Sequence, residues 1–74
     1  IHPGEILREE FIELMGMSQR EFADKIGVTH TRLNQVVNEK RSITADTALC
    51  LSMALGTTAK FWMNLQARYD LDQT

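Results

Sequence analysis

The side chains best placed to do chemistry in this sequence lie within residues 18–41, SQREFADKIGVTHTRLNQVVNEKR, and what they offer is hydrogen bonding rather than bond making. Glutamine amides can pair bidentately with an adenine edge, a threonine can meet a thymine methyl, and hydroxyls, amides and cations suit phosphate oxygens. Gln35, Thr31 and His30 are therefore candidate base readers. Thr29 and Gln19 are candidate phosphate contacts. Arg32 and Asn34 fall on the flanks, where base or phosphate contact is feasible, and Asn38, Lys40 and Arg41 are candidates to hold the DNA backbone. Catalytic constellations do not appear. His2 and His30 are far apart, Cys50 sits among apolar residues, and there is no glycine-rich phosphate loop or clustered His/Cys set with metal-ligand spacing. Enzyme activity, a cofactor and a metal are all unexpected.

Two short helices must position those side chains. Ser18-x-x-Glu21 fits a capping box, in which the hydroxyl takes an orphan amide and the carboxylate reaches back. Phe22, Ala23 and Ile26 repeat at helical spacing, and Gly27 can take the left-handed conformation that stops a helix. Thr29 is then a candidate cap for the next helix. There Leu33, Val36 and Val37 share one face, so Thr31 and Gln35 point the other way. This pattern predicts a helix-turn-helix over 18–38, whose second helix offers its N-terminal side chains to base edges.

Seventy-four residues make one domain, 1–74, with a small core. A hydrophobic content of 43% excludes a disordered tail. With no signal peptide and no apolar run of about 20 residues, a cytoplasmic protein is expected. The net charge of −2 argues on its face against nucleic acid, but its distribution does not. Between Lys25 and Arg41 four cations meet one acid, Glu39, giving that segment a charge of +3. Phosphate contact requires such a basic segment at the motif.

The rest reads as helix too, giving an all-α, compact five-helix bundle without strands. A first helix begins near Pro3, with Leu7, Phe11, Leu14 and Met15 as its apolar stripe and Gly16 as its stop. A fourth is capped by Thr44 and runs to about Leu55, with Ala48, Leu51, Ser52 and Leu55 on one face. Thr57 or Thr58 caps a fifth, Ala59 to about Tyr69. That last helix carries apolar residues on two sides: Phe61, Trp62, Leu65 and Tyr69 on one, Met63 and Ala67 on another. Either Trp62 and Tyr69 close the core, or the surface meets a partner. Phe61, Trp62, Met63, Leu65 and Tyr69 are taken as a dimer or partner interface, because dyad-related helix-turn-helix domains need one.

SQREFADKIGVTHTRLNQVVNEKRSIT resembles the phage-repressor-type (Xre-family) helix-turn-helix, which implies a lambda-repressor-like fold. The flanks HPGEIL and Thr44-x-Asp46-Thr47-Ala48-x-x-Leu51, with Ala54-Leu55-Gly56-Thr57-Thr58-x-x-Phe61-Trp62-Met63-Asn64-Leu65-Gln66-x-x-Tyr69-Asp70-Leu71, are similar to the HigA antitoxins, also called virulence-associated protein I. The resemblance implies a homodimer that binds operator DNA, represses its own operon and neutralises a small RelE-like mRNA-cleaving (HigB-like) toxin. By position, Thr29 and Gln35 fall where family members contact the operator, with Thr31 and Arg32 beside them. A glycine common in the family after this helix is Glu39 here, and its carboxylate would repel phosphate. A stand-alone repressor, or an adaptor that has lost DNA binding, are the alternatives.

Overall fold

The computed structural model describes residues 1–74 and consists of five helices with no strand. Helix α1 opens as Pro3–Leu7, widens into a π turn over Arg8–Ile12 and closes as Glu13–Met15. Helix α2 is Gln19–Ile26, α3 His30–Val37, α4 Ala45–Leu55 and α5 Ala59–Asp72. None is long and apolar enough to cross a membrane.

Local chemistry explains most of the boundaries. Ser18 Oγ accepts from Glu21 N–H at 3.1 Å, and Glu21 Oε1 accepts from Ser18 N–H at 3.0 Å, so the capping box forms as expected. The bond from the Ser18 backbone, with that to its side chain, holds the Glu21 carboxyl below its ordinary pKa. Gly27 ends α2 at φ +83°, where a Cβ would be strained. Thr29 and Thr58 cap α3 and α5 through Arg32 N–H and Phe61 N–H.

Two expectations fail. In α1 the π turn lets Glu13 N–H bond back to Arg8 O and inserts one residue into the helical register. Everything beyond it rotates by about one position. Ile12 enters the core behind Leu7, whereas Leu14 stands 75% exposed and Met15 is exposed as well. Thr44, the expected cap of α4, makes no capping bond; its hydroxyl accepts from Arg32 Nη2 at 3.1 Å instead.

The core gathers Leu7 and Ile12 of α1, Phe22, Ala23 and Ile26 of α2, Leu33, Val36 and Val37 of α3, Ile43, Ala48 and Leu51 of the α4 region, and Trp62 of α5. Each large aliphatic or aromatic side chain buried here contributes about 1.5–3 kcal/mol. Thr47 is also buried on α4, whereas Ser52 and Leu55 are only partly covered.

The N-terminus of α1 packs unusually tightly against the end of α3. Gly4 lies so near Val36 that a Cβ would run into the Val36 carbonyl oxygen. Beside it His2, 4% exposed, caps α1: its Nδ1 accepts from Gly4 N–H at 2.9 Å, and its ring meets Tyr69 edge-on at 4.7 Å. Burial lowers the His2 pKa from 6.5, opposed by the nearby Glu39 and Asp70 carboxylates. The shift favours the neutral imidazole, the form whose Nδ1 can accept.

Candidate nucleic-acid interface

Helices α2 and α3 hold the expected polar row on one surface. His30 and Thr31 are exposed at the start of α3, and Gln35, one turn on, is half-buried at the edge of the same face. Alongside runs a chain of side-chain amides. Asn38 Nδ2 donates to Asn34 Oδ1, and Asn34 Nδ2 donates to Gln19 Oε1, each at 3.1 Å. The chain crosses from α3 to the first residue of α2 and leaves the Gln19 amide N–H groups free to donate. Sequence spacing places Gln19 at the start of α2 and Asn34 in the middle of α3 without showing that they bond. Only the crossing of the two helices brings them together.

Thr29 is both a cap and a remaining donor. Its Oγ1 accepts from Arg32 N–H at 3.1 Å, which uses one lone pair and leaves the O–H for an acceptor outside the protein. Arg32 differs from expectation. Its guanidinium turns back to Thr44, and its Nε is buried without a hydrogen-bond partner. The side chain ties α3 to the start of α4 and is not a freely projecting contact.

The connection after α3 presents positive charge from a constrained backbone. Glu39 N–H bonds Val36 O at 3.0 Å and Lys40 N–H bonds Gln35 O at 2.8 Å, the paired bonds of a Schellman turn. That turn puts Glu39 at φ +63°, the only non-glycine residue with positive φ. A conformation suited to glycine is thus held by a carboxylate-bearing residue. Lys40 and Arg41 follow it, exposed, while the one ion pair of the fold is Arg8–Glu13 on α1 at 3.2 Å.

On α5 the assigned interface splits. Trp62 is fully buried: Phe11 of α1 lies against it at 5.3 Å between ring centres, and its Nε1 donates to Thr57 Oγ1 at 2.8 Å. Its expected place in a partner surface is therefore corrected, because α1 already covers it. Leu65 and Tyr69 are half-buried, and Phe61 and Met63 remain exposed at 40% and 37%.

A helix-turn-helix family model matches residues 7–62, from the middle of α1 to the first turn of α5. The chain belongs to the Xre-type helix-turn-helix family. It is 51% identical to virulence-associated protein I of Dichelobacter nodosus, over 96% of this chain and 66% of that protein. With antitoxin HigA-1 of Vibrio cholerae the identity is 38%, over 96% of this chain and 67% of the other. An antitoxin HigA of Pseudomonas aeruginosa, solved with the higBA promoter, superposes with a TM-score of 0.94 at 44% identity, covering 99% of this chain and 79% of that one. These relatives put the chain in the HigA-type branch of the family. It spans about two thirds of the length of the curated relatives it matches.

Proposed function

We propose that this chain is the DNA-binding part of a cytoplasmic, HigA-type antitoxin that represses its own operon and neutralises a RelE-like mRNA-cleaving toxin. Helix α3 enters the major groove, where Thr31, Gln35 and His30 meet base edges. The Thr29 hydroxyl, Gln19 and Asn34 hold phosphate on one side of the groove, and Asn38, Lys40 and Arg41 hold it on the other. Two copies, joined through the exposed residues Phe61 and Met63 of α5 with Leu65 and Tyr69 at the edge, read half-sites about 34–36 Å apart or a multiple of that. The observation that carries this reading is the exposed polar row of α3, linked by Asn34 to Gln19 and followed by unpaired cations. A promoter-bound antitoxin of the same fold supports it.

Footprinting and binding isotherms on the promoter upstream of the gene test the DNA arm. Lys40→Ala should flatten the log–log salt slope by about one unit, whereas Gln35→Ala should relax sequence preference with little change in slope. Unchanged affinity, slope and preference in both would sink the assignment. For the toxin arm, the full-length protein should copurify with a small basic protein encoded next door and suppress its mRNA cleavage.

A further inference from the structure

Gln66 is a polar side chain in the middle of α5, yet only 4% exposed. Its Oε1 accepts from Ile43 N–H at 2.7 Å, and its Nε2 donates to Asp70 Oδ1 at 2.9 Å. Ile43 is 2% exposed and no backbone carbonyl takes its amide, so Gln66 supplies the partner that a buried N–H requires. The consequence falls on the connection between α3 and α4. That connection is pinned at Lys40 N–H by Gln35 O, at Ile43 N–H by Gln66, and at Thr44 by Arg32. Between the first two pins stand only Arg41 and Ser42. The path on which Lys40 and Arg41 ride is thus fixed at one end by α3 and at the other by α5.

We infer that Gln66 is a positioning residue for the phosphate grip of Lys40 and Arg41. It acts through the Ile43 backbone and touches no DNA itself, and Asp70 keeps its amide turned the right way. The inference rests on the DNA-binding reading above. It goes further in making α5, the helix assigned to partner contact, a direct determinant of how the cations after α3 are held.

Two variants separate positioning from simple core filling. Gln66→Leu keeps the volume but loses both bonds and orphans the Ile43 amide. The pair Gln66→Glu with Asp70→Asn keeps net charge, retains an acceptor for Ile43 N–H and reverses the second bond. Both are compared with wild type, at a temperature where circular dichroism reports full folding, for operator affinity across a salt series. Backbone order parameters of residues 40–42 and exchange of the Ile43 amide are measured without DNA. Gln66→Leu should flatten the salt slope by one to two units, about one per lost phosphate contact. It should also raise mobility at Arg41 and Ser42, and the paired exchange should restore both readouts.

A folded Gln66→Leu protein with wild-type slope and wild-type order at 40–42 overturns the inference. So does a paired variant that stays as loose as Gln66→Leu. If wild type fails to bind its operator while Gln66→Leu still frees residues 40–42, the pinning stands and the DNA-binding reading falls.

Discussion

Replacing Glu39 by glycine should make this protein more stable, although it deletes a side chain. Glu39 sits at φ +63° because the Schellman turn after α3 demands a left-handed residue there. For an L-residue other than glycine that conformation costs roughly 1–2 kcal/mol. Glycine escapes the strain but gives back about 0.5–1 kcal/mol through a freer unfolded chain. The expected net gain is about 0–1.5 kcal/mol, equivalent at its upper end to a rise in Tm of about 6–12 °C for a domain of this size. Glu39→Ala is the decisive control, since it removes the same carboxylate while keeping the Cβ at positive φ. Thermal and denaturant unfolding of the three proteins should rank Glu39→Gly above wild type, with Glu39→Ala no more stable than wild type. Both variants also remove a negative charge next to Lys40 and Arg41, so both should bind operator more tightly at low salt. A Glu39→Ala protein as stable as Glu39→Gly would refute the backbone argument and leave charge as the whole effect.

Gly4→Ala should destabilise by roughly 1–3 kcal/mol, because the added Cβ meets the Val36 carbonyl and not a pliable side chain; a lower denaturant midpoint at unchanged m-value checks it. His2, whose folded pKa lies below 6.5, leaves the unfolded chain binding more protons in the interval between the two values. Stability from His2 is therefore complete above pH 6.5 and is lost as pH falls through the depressed folded value. Asparagine can accept the same cap bond without titrating, so Tm measured against pH should lose this acid limb in His2→Asn. The π turn predicts unequal costs on α1: Ile12→Ala should lose about 2–5 kcal/mol, and Leu14→Lys should stay within about 0.5 kcal/mol of wild type. Equal losses at the two positions would mean that α1 runs as an uninterrupted α-helix.

What was legible in the sequence was what short stretches of chain decide for themselves. The Ser18–Glu21 capping box, the glycine stops, the cap at Thr29 and the apolar face of α3 each depend on neighbours within a turn, and each stands as read; of Thr57 and Thr58, which the sequence left open, Thr58 is the cap. The failures share a different origin. The apolar stripe of α1 follows from 3.6-residue spacing only while the helix stays regular, and the π turn at Arg8–Ile12 breaks that spacing. Thr44 has a capping residue's sequence position, but Arg32 reaches its hydroxyl from a helix that one sequence cannot orient. Gln66 carries no local signal of its role, since Ile43 lies far along the chain, and for His2 the bond to Gly4 is local but the burial against Tyr69 is not.

Trp62 shows what such an error does to a functional argument. With that ring enclosed by Phe11, the interface expected on α5 keeps only Phe61 and Met63 exposed, edged by half-buried Leu65 and Tyr69. Phe61 also leans edge-on against Trp62, 5.0 Å away, and Tyr69 against His2, so the edges of this surface rest on side chains in the core and at the start of α1. The start of α1 in turn abuts the end of α3 at Gly4 and Val36. On the proposed reading, a partner that presses on α5 presses, through contacts already made, on α3, the helix assigned to DNA. If two copies pair through α5 as proposed, that pairing and the placement of α3 draw on the same packing.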